Sequence, residues 1–293
     1  MNRISFRVLA LLGALTLVWG TNWPLFSIAL AEMPVLTFRS IVLITGTITL
    51  GLIVLMRGES FAVPKGRWLP LIGASLGNLL IWNIATSLAV LYIPSGHASV
   101  LAYTMPLWVA LLGFVLFRQK LTGRLLVALL IGAIAVVALM APNFAGYANA
   151  PWGLFWGLSA GLAWAVGTFI VKRNSWPGMG LSLTFWQVVA SWPPIALGMV
   201  VLDGWPQQMP STAAILATVY TGAIPMALGT AAWFTLVKLL PTQVAALSSI
   251  AIPIVAVVSG VIILHEPLSA LQAVAIGSTV LSLWLALVPR RSS

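Results

Sequence analysis

Apolar residues run along this chain in ten long stretches separated by short polar segments, at 8–30, 35–56, 68–92, 95–117, 121–141, 152–171, 180–202, 212–237, 242–264 and 268–288. Each is long enough to cross a hydrocarbon core of about 30 Å as a helix. The alternating segments of about ten residues that a membrane β-barrel needs are absent from the pattern. Lipid offers no partner to an unpaired backbone group, so every span is expected to be helical. The predicted class is an all-α integral membrane protein with ten transmembrane helices.

The punctuation of these runs repeats at an offset of 147 residues. Pro94 and Pro106 recur as Pro241 and Pro253, Leu36-Thr37-Phe38 as Leu183-Thr184-Phe185, Gly20-Thr21 as Gly167-Thr168, and Gly113 as Gly260. Each half then holds five spans, and an odd-span unit followed by its copy places the copy upside down in the bilayer. Two inverted five-helix repeats are expected, 1–146 and 147–293, with no separate soluble domain. This is a common ground plan of secondary transporters.

Composition agrees: 61% of residues are hydrophobic and 6% charged, against about 25% charged in soluble domains. The net charge of +10 does not point to nucleic acid, because the basic residues sit in short loops between apolar runs and form no basic patch or arm. With the N-terminus inside, every Lys and Arg except Arg39 falls on the inner side, while Glu32, Asp203 and Glu266 fall outside. The positive-inside rule therefore predicts ten spans with both termini cytoplasmic. Arg3 and Arg7 before an apolar run imitate a signal peptide. The run is longer than a signal h-region of about 7–15 residues and aligns with the sixth span, so it is expected to stay in the mature fold. The chain has no cysteine, which excludes thiol catalysis, disulfides and Cys-based metal sites.

Enzymatic motifs are not evident. His265-Glu266 begins like HExxH but does not continue, and there is no P-loop, GxSxG or carboxylate pair. The chain reads as a non-enzyme with no cofactor or metal. No acid falls deep in a span, so proton coupling lacks its usual carrier. Facilitated diffusion or exchange is favoured, with His97 as the remaining proton-coupling candidate.

Packing without a hydrophobic drive relies on small residues, and Gly153, Gly157, Gly161 and Ala165 form such a stripe on the sixth span. Pro106 and Pro253 fall midway along the fourth and ninth spans, where proline breaks the backbone ladder. They are the candidate hinges. Polar and aromatic residues at mid-depth mark the candidate substrate cavity: Trp19, Asn22, Asn78, Trp82, Asn83, Ser99, Tyr103, Trp164, Thr168, Ser248 and Ser249. Asn78, Trp82 and Thr86 share one helix face. A ring of indole, amide and hydroxyl groups suits a small neutral, zwitterionic or aromatic solute, with cation–π contact available to an ammonium. Helix–helix hydrogen bonding is the competing explanation for any single one of them.

These residues resemble the drug/metabolite transporter superfamily with tandem EamA-type units. Trp19-Gly20-Thr21-Asn22-Trp23 is similar to its opening motif. Leu240-Pro241-Thr242-Gln243-Val244-Ala245-Ala246, Pro253, Leu264-His265-Glu266-Pro267-Leu268 and Gly277 resemble its ninth and tenth helices. Gln119 departs from the family, where Glu is usual. Within it the chain looks most like bacterial exporters of amino acids and aromatic metabolites. The resemblance implies a basket of helices around a central cavity, alternating access, and a bacterial inner-membrane location. It also implies a small-molecule substrate, contact with lipid, no nucleic-acid partner, and a monomer. A drug or other small-metabolite permease is the alternative, and a non-transporting receptor or assembly subunit is the alternative of a different class.

Overall fold

The structure, a computed structural model, describes residues 6–118, 123–140, 150–204, 208–240 and 251–265, with 270, 274 and 278. The described residues form helices joined by short connections, with no strand among them. In chain order these are α1 (Phe6–Leu30), α2 (Val35–Met56), α3 (Trp68–Tyr92) and α4 (Ser95–Leu116). Then come α5 (Gly123–Met140), α6 (Pro151–Arg173), α7 (Ser182–Asp203), α8 (Thr212–Leu239) and α9 (Ile252–Leu264). Seven of them, α1 to α4 and α6 to α8, are long and apolar enough to cross a membrane. The tenth expected span and the first part of the ninth lie largely outside the described residues.

The distribution of side chains is that of a protein whose solvent is lipid. Ile48, Leu52 and Leu55 on α2 and Phe114, Val115 and Leu116 on α4 are exposed, while Asn78, Asn83, Ser87 and Gln187 are buried. Buried polar groups must find partners inside the bundle, and many do so through the turn of helix below them: Ser75, Thr86, Ser191 and Thr218 all donate to carbonyls one turn back.

Three local irregularities position the site. First, α3 contains a π-helical turn at Leu76–Ile81 and α8 another at Gly222–Gly229. The first maps into the second at the 147-residue offset. Such turns free backbone groups and recur at functional sites. Second, α4 is broken: Ser95–Ala102 is followed by a turn at Tyr103–Thr104, and helix resumes at Met105. Pro106 lies in the first turn of that second piece, where its missing N–H leaves no hydrogen bond unmade. Pro253 holds the same place in α9. Third, both non-glycine residues with positive φ among the described residues are helix caps, Arg118 (φ 50°) and His265 (φ 55°), again 147 apart. Their cap N–H groups reach the Gly113 and Gly260 carbonyls, a left-handed termination that β-carbon sterics make uncommon.

Helices α2 and α7 run antiparallel, each helix start held by an acid from the far end of its partner. The Asp203 Oδ2 accepts from the Thr37 N–H (2.6 Å) and hydroxyl (2.9 Å) at the start of α2. Glu59, just past the end of α2, accepts from the Leu181 N–H (2.7 Å) at the start of α7. A carboxylate at a helix N-terminus meets the positive end of the dipole.

A third clasp ties the α1–α2 connection to the start of α8. Glu32 accepts from the Ser211 N–H (2.5 Å) and hydroxyl (2.7 Å). These bonds, the backbone one foremost, hold its carboxyl below the ordinary value of 4.5. A depressed pKa stabilises the folded state above the unfolded pKa and is lost as pH falls through the folded value. The melting-temperature difference between wild type and Glu32→Gln should therefore be present at neutral pH and shrink below about 4.5. A difference that does not change with pH would refute the clasp.

Candidate functional site

Six helices converge on a cavity in the middle of the bundle. Helix α1 contributes Trp19, Asn22, Trp23 and Phe26, α2 Arg39, and α3 Leu79, Trp82 and Asn83 from its π turn and the turn after it. The break in α4 supplies Tyr103, α6 supplies Trp164, and α8 supplies Thr221, Pro225, Met226 and Thr230. The sequence pattern placed Trp19, Asn22, Trp82, Asn83, Tyr103 and Trp164 in one site, and the fold brings these six together.

The walls are mostly aromatic rings in contact. Trp164 meets Trp82 at 4.7 Å and Trp19 edge-on at 5.5 Å between centroids. Tyr103 bridges Trp82 (5.8 Å) and Trp23 (6.1 Å). Each such pair is worth roughly 0.5–1.5 kcal/mol beyond the area it buries. The rings leave a cavity of about 40 Å³, and one water needs about 10–15 Å³ on this measure. The site as it stands takes a few waters, so loading a metabolite requires the rings to part.

The polar groups divide into used and unused. The Trp19 Nε1–H donates to the Pro225 carbonyl in the α8 π turn (2.9 Å), and the Asn22 Oδ1 accepts from Thr221 (2.8 Å). Asn83 donates through Nδ2 to the Leu79 carbonyl (2.6 Å), while its buried Oδ1 receives no hydrogen bond from the described residues. The buried Trp164 Nε1–H likewise has no acceptor among them.

Asn78, Ser99 and Thr168 stand outside the cavity lining, because their polar atoms are spent within and between helices. Asn78 donates to the Gln187 Oε1 (3.2 Å), and Thr168 reaches the Asn78 Oδ1 (3.5 Å), joining α3, α6 and α7. Ser99 donates to the Gly96 carbonyl (2.6 Å). Ser248 and Ser249 lie outside the described residues. His97, the proton-coupling candidate, is not among the lining residues.

The cavity also holds a residue that the mid-depth pattern did not collect. Arg39, one turn into α2, is 1% exposed. It donates through Nε to the Ser87 hydroxyl (2.5 Å) and through Nη2 to the Thr86 hydroxyl (2.9 Å). Its guanidinium lies 4.0 Å from the Phe26 ring centre and 4.8 Å from that of Phe38. An ionisable residue inside an apolar run was the available signal. Trp23, Phe26, Thr221, Met226 and Thr230 carried no signal of comparable strength, since such residues are common in membrane helices.

Residues 7–141 and 151–288 each match the family described as the EamA-like transporter family. The uncharacterized transporter YvbV of Bacillus subtilis is 25% identical over 267 residues, covering 90% of this chain and 86% of its own. A protein of Escherichia coli named "Probable amino-acid metabolite efflux pump" is 25% identical over 283 residues, covering 90% and 89%. An inner membrane transporter of Escherichia coli, YedA, is 25% identical over 277 residues, covering 93% and 88%. A solved crystal structure at 19% identity covers 96% of both chains with a TM-score of 0.77, so the fold is shared.

Proposed function

The chain belongs to the EamA-like transporter family of the drug/metabolite transporter superfamily, as a multi-pass membrane protein that moves a small molecule, and from that premise we propose that it exports amino acids and related metabolites. The observation that carries this reading is the cavity itself: aromatic faces, an amide oxygen and an indole N–H without partners, at the meeting point of two π turns and a broken helix. The efflux-pump relative supports the same substrate class.

The mechanism is alternating access between two inverted five-helix repeats, 1–146 and 147–293, with both termini cytoplasmic in a bacterial inner membrane. Several features support the repeat: the family matches twice, α2 and α7 start 147 residues apart, and the paired left-handed caps and paired π turns keep the same offset. The pieces beginning near Pro106 and Pro253 are the moving half-helices. No enzymatic step is needed, and the named relatives are transporters.

Proteoliposomes containing this protein alone and loaded with labelled amino acids should release them faster than protein-free vesicles. In the same assay Pro106→Ala with Pro253→Ala should slow exchange while leaving binding within about twofold. Release at the protein-free rate for every amino acid would sink the export reading and favour another metabolite or a non-transporting role. Unchanged exchange in the double variant would sink the hinge.

A further inference from the structure

Arg39 is buried in a membrane helix with no carboxylate beside it among the described residues. Of the four acids in the chain, Glu32 is held by Ser211, Asp203 by Thr37, and Glu59 by Arg57 and the Leu181 N–H. Glu266 lies outside the described residues. The two hydrogen bonds of Arg39 go to neutral hydroxyls, and its remaining N–H donors have no acceptor among the described residues. A buried charge is costly unless paired, and in a membrane span it marks a functional site. The Phe26 and Phe38 rings under the guanidinium soften that cost but do not neutralise the charge.

Two further orphans share the cavity with it. The Asn83 Oδ1 needs a donor and the Trp164 Nε1–H needs an acceptor. Asn83 sits one helical turn before Thr86 and Ser87, which hold the guanidinium. A cation, an acceptor and a flanking set of aromatic faces are complementary to one kind of ligand: a carboxylate and an ammonium on a short spacer, with an apolar side chain. Arginine matches a carboxylate with two parallel bonds. A phosphate ester would want a second cation, and none lines the cavity.

We propose that Arg39 and Asn83 form a clamp for a zwitterion, Arg39 binding the α-carboxylate and the Asn83 Oδ1 accepting from the α-ammonium. This rests on the transport reading above and narrows it: a free carboxylate is obligatory, and decarboxylated amines and carboxamides are excluded. The clamp also supplies the missing counter-ion, so the occupied site is the electrically satisfied one. The side chain of the substrate then lies among Trp19, Trp82 and Trp164.

The test is counterflow in proteoliposomes of the full chain, using labelled L-phenylalanine, L-leucine and L-threonine against each acid, its carboxamide and its decarboxylated amine. At least one acid should compete about tenfold or more better than its carboxamide, the scale of a charge-assisted bond. Arg39→Gln should lower acid counterflow by about tenfold or more, with Arg39→Lys in between. Asn83→Leu should weaken L-phenylalanine but not 3-phenylpropionate, which lacks the ammonium. Equal competition by acids, carboxamides and amines would leave transport standing and overturn the clamp. Counterflow of no acid and no amine would overturn transport and clamp together. If Arg39→Gln fails to fold, the comparison of acids with carboxamides on the unaltered protein decides alone.

Discussion

Gly77→Val should collapse the stability of the bundle, lowering the apparent melting temperature in detergent and abolishing transport. Gly77 lies in the α3 π turn where α3 crosses α6 backbone to backbone. A Cβ there would sit 2.5 Å from the Ala163 carbonyl oxygen and 3.0 Å from the Gly167 nitrogen. Neither atom can rotate away. A Cβ on the reciprocal Gly167 would sit 2.7 Å from the Asn78 backbone nitrogen, so the crossing is closed from both sides. Overpacking typically costs about 1–3 kcal/mol, and valine adds two methyls beyond the Cβ. Gly77→Ala should already be destabilising despite the gain of about 1 kcal/mol in helix propensity. Gly73→Ala, one turn earlier on α3, is the control. Its Cβ would meet only the Ile170 Cδ1, at an ordinary 3.5 Å, so that variant should melt at or above the wild-type temperature. Equal melting of Gly77→Val and Gly73→Ala would refute the close crossing.

The second large effect is expected at Trp164. It is 2% exposed and touches Trp19, Trp82, Trp233 and Phe234. Truncating such a residue costs about 3–5 kcal/mol in a core that cannot collapse. Its loss also opens the cavity. A site of about 40 Å³ would gain the volume of an indole, and the constraint on substrate side-chain size should relax. Trp164→Ala should melt well below wild type, and in counterflow its preference should shift toward bulkier amino acids by about tenfold. Trp164→Phe, which keeps a ring against Trp82, should retain most of both properties. A Trp164→Ala protein with the wild-type ranking of amino acids would show that this ring does not gate the site.

Much of the site was legible because membrane helices follow simple rules. The six cavity residues that the mid-depth pattern collected are large or polar groups in apolar runs, where lipid makes them expensive. Asn78, Ser99 and Thr168 satisfy the same rule and yet serve packing. Sequence spacing gives the face of a helix but not the neighbour opposite it. Asn78 faces Gln187, and only the packing of α3 on α7 makes that pair. Arg39 shows the converse. Its position near one end of its span does not reveal that the long side chain reaches Thr86 and Ser87 on α3.

The sequence alone determined the class, the starts of α1 to α8 and the 147-residue periodicity, because these depend on local hydrophobicity, on proline and glycine at helix ends, and on the absence of backbone partners in lipid. Proline positions also marked where α4 would be interrupted, although not that the break would precede Pro106 and deliver Tyr103 to the cavity. Only the tertiary structure decided which polar groups were already satisfied. Among the described residues it left Arg39, Asn83 and Trp164 with unmade hydrogen bonds in one cavity, while at the 147-residue offset their counterparts are Trp186, Thr230 and Leu17. Hydrogen-bond satisfaction is a property of pairs brought together by packing, and no single-residue pattern along a chain contains it.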